Sequence, residues 1–233
     1  MRMGLGLALP VVLLAALLGA GCATPDDAAL SERLTARAVA GDFNSIALTD
    51  IRCNARTEDC AKSHAVKGDA CLKLAIQQPQ TASIQDSKMR DLLDCAEAGY
   101  SKALELQPDR NAPSRVSYHG GLLLTLSERR NRLDNVKEQK LDRENEKLLR
   151  AAQEARREVP GSALGFLYGA SAHVYRATLK PRGRDRCNDL RQAESMLSRS
   201  PSPPIELTDE QNRIRSLIRQ QLRENGCGRI QRL

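Results

Sequence analysis

The chain has 233 residues, a formal net charge of +7, no tryptophan, two phenylalanines and four tyrosines. So few rings leave no material for the aromatic platforms that stack single-stranded nucleic acid, or for a sugar-stacking cleft. Leucine, alanine, arginine, glutamate and glutamine dominate, and alternating β-branched stretches are missing, so the composition predicts an all-α protein with an aliphatic core.

Met1 to Pro25 reads as an export signal. Arg2 precedes an apolar run from Gly4 to Leu18, and Gly19-Ala20-Gly21-Cys22 follows: a charged start, a hydrophobic middle and a small-residue exit. With its junction cysteine the segment resembles a bacterial lipoprotein signal of residues 1–21, although Gly19 stands where that family has leucine. The resemblance implies that Cys22 becomes the N-terminus and carries palmitate-type acyl chains, which hold a protein on a membrane. Ala23 and Thr24 offer no acidic residue, which implies sorting to the outer membrane, facing the periplasm. Two other readings use the same residues. One is simple secretion, cut after Ala23; the other is an uncleaved anchor, although Gly4–Leu18 falls short of the roughly 20 residues a span needs.

Residues 22–59 read as a tether with one short helix, capped by Ser31 and ending at Gly41, followed by a loop over 43–57. A helix is predicted from about Cys60 to Gln77, with Ala65, Cys71, Leu72, Leu74 and Ala75 apolar. A second runs from about Asp86 to Leu106, with Leu92, Cys95, Ala96, Tyr100, Ala103 and Leu104 on one side. Ala96, Tyr100, Ala103 and Pro108 stand at helical offsets within Ala96–Asp109, and this string resembles the second helix of a tetratricopeptide repeat. The resemblance implies small residues for close helix approach, an aromatic filling the gap between helices, and a proline stop.

Further helices are predicted over about 114–130, 135–159, 162–178 and 187–198. The long charged one carries a stripe of Leu141, Leu148, Ala152, Ala155 and Val159. Thr208 to Gln211 fits a capping box, Ile214, Leu217, Ile218 and Leu222 form a stripe, and Gly226 stops this last helix. The expected architecture is a short solenoid of antiparallel, tetratricopeptide-like hairpins over 60–205, closed by a capping helix over 206–233.

Apart from Cys22 there are six cysteines: Cys53, Cys60, Cys71, Cys95, Cys187 and Cys227. An even number in an exported chain points to disulfides, and chain position favours Cys53–Cys60, Cys71–Cys95 and Cys187–Cys227. The competing reading is a metal set of Cys53, Cys60, His64 and Cys71, which lacks the paired Cys-x-x-Cys of zinc knuckles. No haem-attachment motif, nucleophile elbow, phosphate loop or zinc-protease motif is found, so no cofactor, metal or catalytic residue is assigned. A Cys95–His119 nucleophilic pair has no local motif behind it, and His119 and His173 read as packed helix residues.

Lys180, Arg182, Arg184 and Arg186 form a basic patch, read as a loop facing solvent, anionic lipid or an acidic protein. The expected function is a lipid-anchored scaffold that binds envelope proteins or peptides in a helical groove, in envelope, pilus or secretion assembly, and not nucleic acid. The alternative is a small-molecule-binding component of an envelope transport system.

Overall fold

The computed structural model describes residues 25–79, 81–84, 86–133 and 138–227. Cys22, and with it the lipidation site, lies outside them. Among the described residues the chain is nine α-helices and no strand: α1 (Pro25–Val39), α2 (Phe43–Leu48), α3 (Glu58–Ile76), α4 (Ser87–Leu106), α5 (Ser114–Asn131), α6 (Glu138–Glu158), α7 (Leu164–Leu179), α8 (Arg184–Arg199) and α9 (Ile205–Glu224).

From α3 onward each helix packs against the next, and the odd-numbered helices also touch in succession, α3 on α5, α5 on α7 and α7 on α9. Such a succession is consistent with a helical solenoid. α1 and α2 both cover α3 at the N-terminal end, where Leu34, Ile46 and Ala70 form a small core of their own. Ile214 and Ile218 of α9 cover the other end, against Leu167, Ala170 and Val174 of α7 and Leu197 of α8.

The tightest packing surrounds Tyr100. Its ring is 2 % exposed and lies between α3 and α5. A Cβ on Gly68 would stand 3.3 Å from that ring, and one on Gly121 only 2.1 Å away. A Cβ on Gly99 would come within 2.8 Å of the Gly68 backbone, so α3 and α4 touch main chain to main chain. The Tyr100 hydroxyl donates to Asp69 Oδ1 at 2.6 Å. Ala96 and Ala103 are buried on the same face, and Pro108 follows the end of α4 in an exposed turn.

Several local expectations are corrected. The first helix is already formed ahead of Ser31, with Asp26 and Asp27 complementing the helix dipole in its first turn; Ser31 is buried mid-helix. Segment 43–57 is not all loop, since Asp42 caps α2 and Ile46 buries against its neighbours. On α4 the buried leucines are Leu93 and Leu106, while Leu92 and Leu104 are half-buried at the flanks. The Thr208–Gln211 box does not form. α9 begins a turn earlier, after Pro203-Pro204, and the Thr208 hydroxyl donates to the Pro204 carbonyl at 3.3 Å. Gly226 does end α9, at φ +63°, and the Cys227 amide closes back on Leu222.

Overpacking a tight core costs about 1–3 kcal/mol, so Gly121→Ala is expected to lower the urea midpoint clearly. Gly161→Ala, where a Cβ meets nothing within 4 Å, is expected to leave it unchanged. Equal midpoints for the two variants would remove the Tyr100 slot as a packing constraint.

Candidate functional site

A broad depression of about 1290 Å³ is floored by Arg115, His119 and Leu122 of α5. Ser101, Leu104 and Glu105 of α4 form one wall, and Glu154, Arg157 and Glu158 of α6 form the other. Arg56 to Asp59, at the start of α3, close one side. The depression is an open groove of mixed charge, since cationic Arg56, Arg110, Arg115 and Arg157 alternate with acidic side chains from every wall. A second, more apolar depression of about 570 Å³ shares Arg110, Asn111 and Glu158 with it. It continues over Pro113, Val116, Val159, Ala163, Pro203 and Pro204, so the two form one surface along the loops at this end of the helices.

Arg115 and His119, one turn apart on α5, both grip Glu158 at the end of α6. Arg115 pairs with the Glu158 carboxylate and donates from Nη1 to the Leu104 carbonyl at 3.0 Å. His119 Nε2 lies 3.0 Å from Glu158 Oε2. Burial pushes His119 below the usual imidazole range, against the pull of Glu158, so at neutral pH the neutral ring donates its Nε2–H. Burial works to raise the Glu158 carboxyl, but hydrogen bonds from Arg115 and His119 outweigh it and hold the group low.

The same device recurs on α7 and α8. Asp189, 3 % exposed, receives Arg176 Nη2 at 2.6 Å and Lys180 Nζ at 2.7 Å, and stands 3.2 Å from His173 Nδ1. Burial works to raise this carboxyl too, yet its three partners hold it far below the usual range. Among the described residues Arg130, 5 % exposed, has only neutral acceptors, Asn131, Asn145 and Ser171, and its guanidinium lies 4.8 Å from the Tyr175 ring centre. Burial pushes it down to about 10.

The structure pairs Cys53 with Cys60, Cys71 with Cys95 and Cys187 with Cys227. The alternative metal set is therefore divided. Cys71 goes to Cys95, while Cys53 Sγ, Cys60 Sγ and a His64 ring nitrogen lie within 4.8 Å of one another. Cys95 and His119 form no nucleophilic pair, because one is in a disulfide and the other is engaged by Glu158.

The basic patch is also divided. Lys180 is held by Asp189, while Arg186 donates to the carbonyls of Ala177 and Thr178 and to Asn225. Arg182 and Arg184 stand exposed. The expected loop is short, since α8 begins at Arg184 and the unsatisfied carbonyls at the end of α7 draw Arg186 inward. No protein-family model, curated protein or solved structure matches the chain.

Sequence reading missed Arg115, Glu158, Arg176, Asp189, Arg130 and Asn145. The available signal was spacing: Arg115/His119 and His173/Arg176 each place a cation and an imidazole on one helix face.

The pKa directions set a pH window. His64 and His119 are lowered, so the unfolded chain takes up protons first and stability falls below about pH 6.5. Glu158 and Asp189, also lowered, remove more stability as pH drops below about 4.5. Asp69, raised by desolvation, offsets part of that loss. The four tyrosines are raised, with Tyr168 pushed up to about 12 by burial, so the unfolded chain ionises first and stability falls above about pH 10. Denaturant midpoints measured from pH 3 to 11 should show a plateau between these limits; a maximum below pH 5 would contradict it.

Proposed function

We propose that the chain is a tetratricopeptide-like scaffold, lipid-anchored through Cys22 on the periplasmic side of the outer membrane, which binds an extended segment of an envelope protein in the α4–α6 groove. The observation that carries this reading is the groove itself: walled by α4 and α6, floored by α5 and continuous with the apolar ledge of Pro113, Val116, Val159 and Pro203. A segment laid there meets paired charges on the walls and then an uncharged shelf. An open groove of this kind suits peptides better than compact small molecules, which bind in more enclosed sites.

The hairpin contact supports the repeat comparison, since Ala96, Tyr100 and Ala103 are buried where the family's small and aromatic positions lie. The hairpins themselves are longer. Their first helices begin at Glu58, Ser114 and Leu164, whereas the family repeats about every 34 residues. The added length lies in the helices: α3 has 19 residues and α4 has 20. No described helix is long and apolar enough to cross a membrane, so the membrane assignment rests on the N-terminal segment alone.

Two measurements test the proposal. Cys22→Ser is expected to release the protein from washed membranes; full retention would remove the lipid anchor. A photo-crosslinking residue at exposed Ser101 or Arg157, on opposite walls, is expected to capture the same envelope protein in intact cells. The same residue at exposed Arg223, outside the groove, is expected not to. Equal capture from all three positions would remove the groove as the binding site.

A further inference from the structure

We propose that Cys53, Cys60 and His64, once the Cys53–Cys60 bond is reduced, form a copper(I) site with two thiolate donors and one imidazole donor. The three donor residues are already gathered in the resting fold. Cys60 and His64 lie one turn apart on α3, and the segment before that helix returns Cys53 so that one donor atom from each residue lies within 4.8 Å of the others. No other cluster of three or more such donors is found among the described residues. His64 Nε2 lies 3.2 Å from the Cys53 carbonyl. Only a protonated nitrogen can donate to a carbonyl, so this contact leaves the lone pair on Nδ1 and orients the ring, as second-shell partners of metal-binding histidines do.

The donor set selects the ion. Thiolates favour soft ions, copper(I) and zinc foremost. Structural zinc is almost always four-coordinate, whereas three donors converge here. A copper(I) ion between two thiolates leaves one net negative charge, and the charged groups acting on the ring, Lys102, Lys67 and Glu105, together supply one net positive charge.

Opening this pair requires a dithiol reductant. One of its thiolates attacks the half-buried Cys53 Sγ. The Sγ–Sγ bond breaks and its electron pair leaves on Cys60 Sγ, which sits in the first turn of α3, where the helix N-terminus stabilises a thiolate. The second thiol then displaces Cys53 from the mixed disulfide, so the reductant becomes a disulfide and both cysteines are free. Protons still held by the two thiols pass to water as copper(I) binds. The half-buried Cys53 and the helix-terminal leaving sulfur favour attack at this bond, and because it closes the shortest loop, with a sequence separation of 7 against 24 and 40, its opening costs the fold least.

The test uses the purified chain, partially reduced with dithiothreitol and desalted without air. Alkylation with mass mapping identifies the opened pair, and copper(I) is titrated against bicinchoninate. The expected result is alkylation at Cys53 and Cys60 first, one copper(I) per chain, and an X-ray absorption shell of two sulfurs and one nitrogen. His64→Ala leaves the disulfide intact in the resting protein and is expected to weaken copper(I) binding by more than about tenfold. The fully oxidised chain is expected to take up none. Earlier opening of Cys71–Cys95 or Cys187–Cys227, a sulfur-only shell, or an unchanged affinity in His64→Ala would overturn the proposal.

Discussion

The Tyr100 ring, held between Gly68 of α3 and Gly121 of α5, is the contact on which the rest of the array depends. Three successive helices meet around one side chain, so the position of α5 is set by what α3 and α4 allow. α5 in turn floors the groove and carries the two residues that hold the end of α6. Further along, the same economy of side-chain volume returns. A Cβ on Gly165 would stand 2.7 Å from the Ala152 carbonyl, and one on Gly169 would stand 2.9 Å from Met196 Sδ. In a core with so few aromatic rings, close backbone approach replaces bulk as the source of packing density.

Charge does the complementary work between helices. Glu158, Asp189 and the pair Asp94 and Glu97 are each held by arginine or histidine from a neighbouring helix. Buried ion pairs add little net stability over apolar packing, but breaking one leaves an uncompensated charge. Each pair ties two neighbouring helices together, α4 to α5, α5 to α6 and α7 to α8. Much of the basic character is consumed in this way. Arg115, Arg129, Arg130 and Arg132 are all buried in α5 or at its end, so the net charge of the chain overstates the positive field at its surface.

The legible parts were those governed by local rules. Helical class, the extent of α4 and its Ala96-Tyr100-Ala103 face follow from propensity, periodicity and a proline stop. The pairing of cysteines follows from their neighbourhood in the chain. What escaped were features decided by tertiary contacts. α2 has only 6 residues and forms because Ile46 buries against Leu34 and Ala70. Arg186 left the expected loop because the end of α7 presents unsatisfied carbonyls. The groove was equally invisible, because its floor and walls come from segments separated by whole helices. The Cys53, Cys60, His64 cluster was half legible: three of the four proposed ligands do converge, but as a disulfide beside an imidazole.

The order of the disulfides has a consequence for how the protein is made. Each bond joins cysteines that are consecutive among the six, at 53 and 60, 71 and 95, and 187 and 227. A chain threaded N-terminus first into an oxidising space can therefore close each bond as its second cysteine emerges, before the next one arrives. For a chain exported in this way, such vectorial oxidation would yield the native pairing without reshuffling, and maturation would call for an oxidase and not for an isomerase.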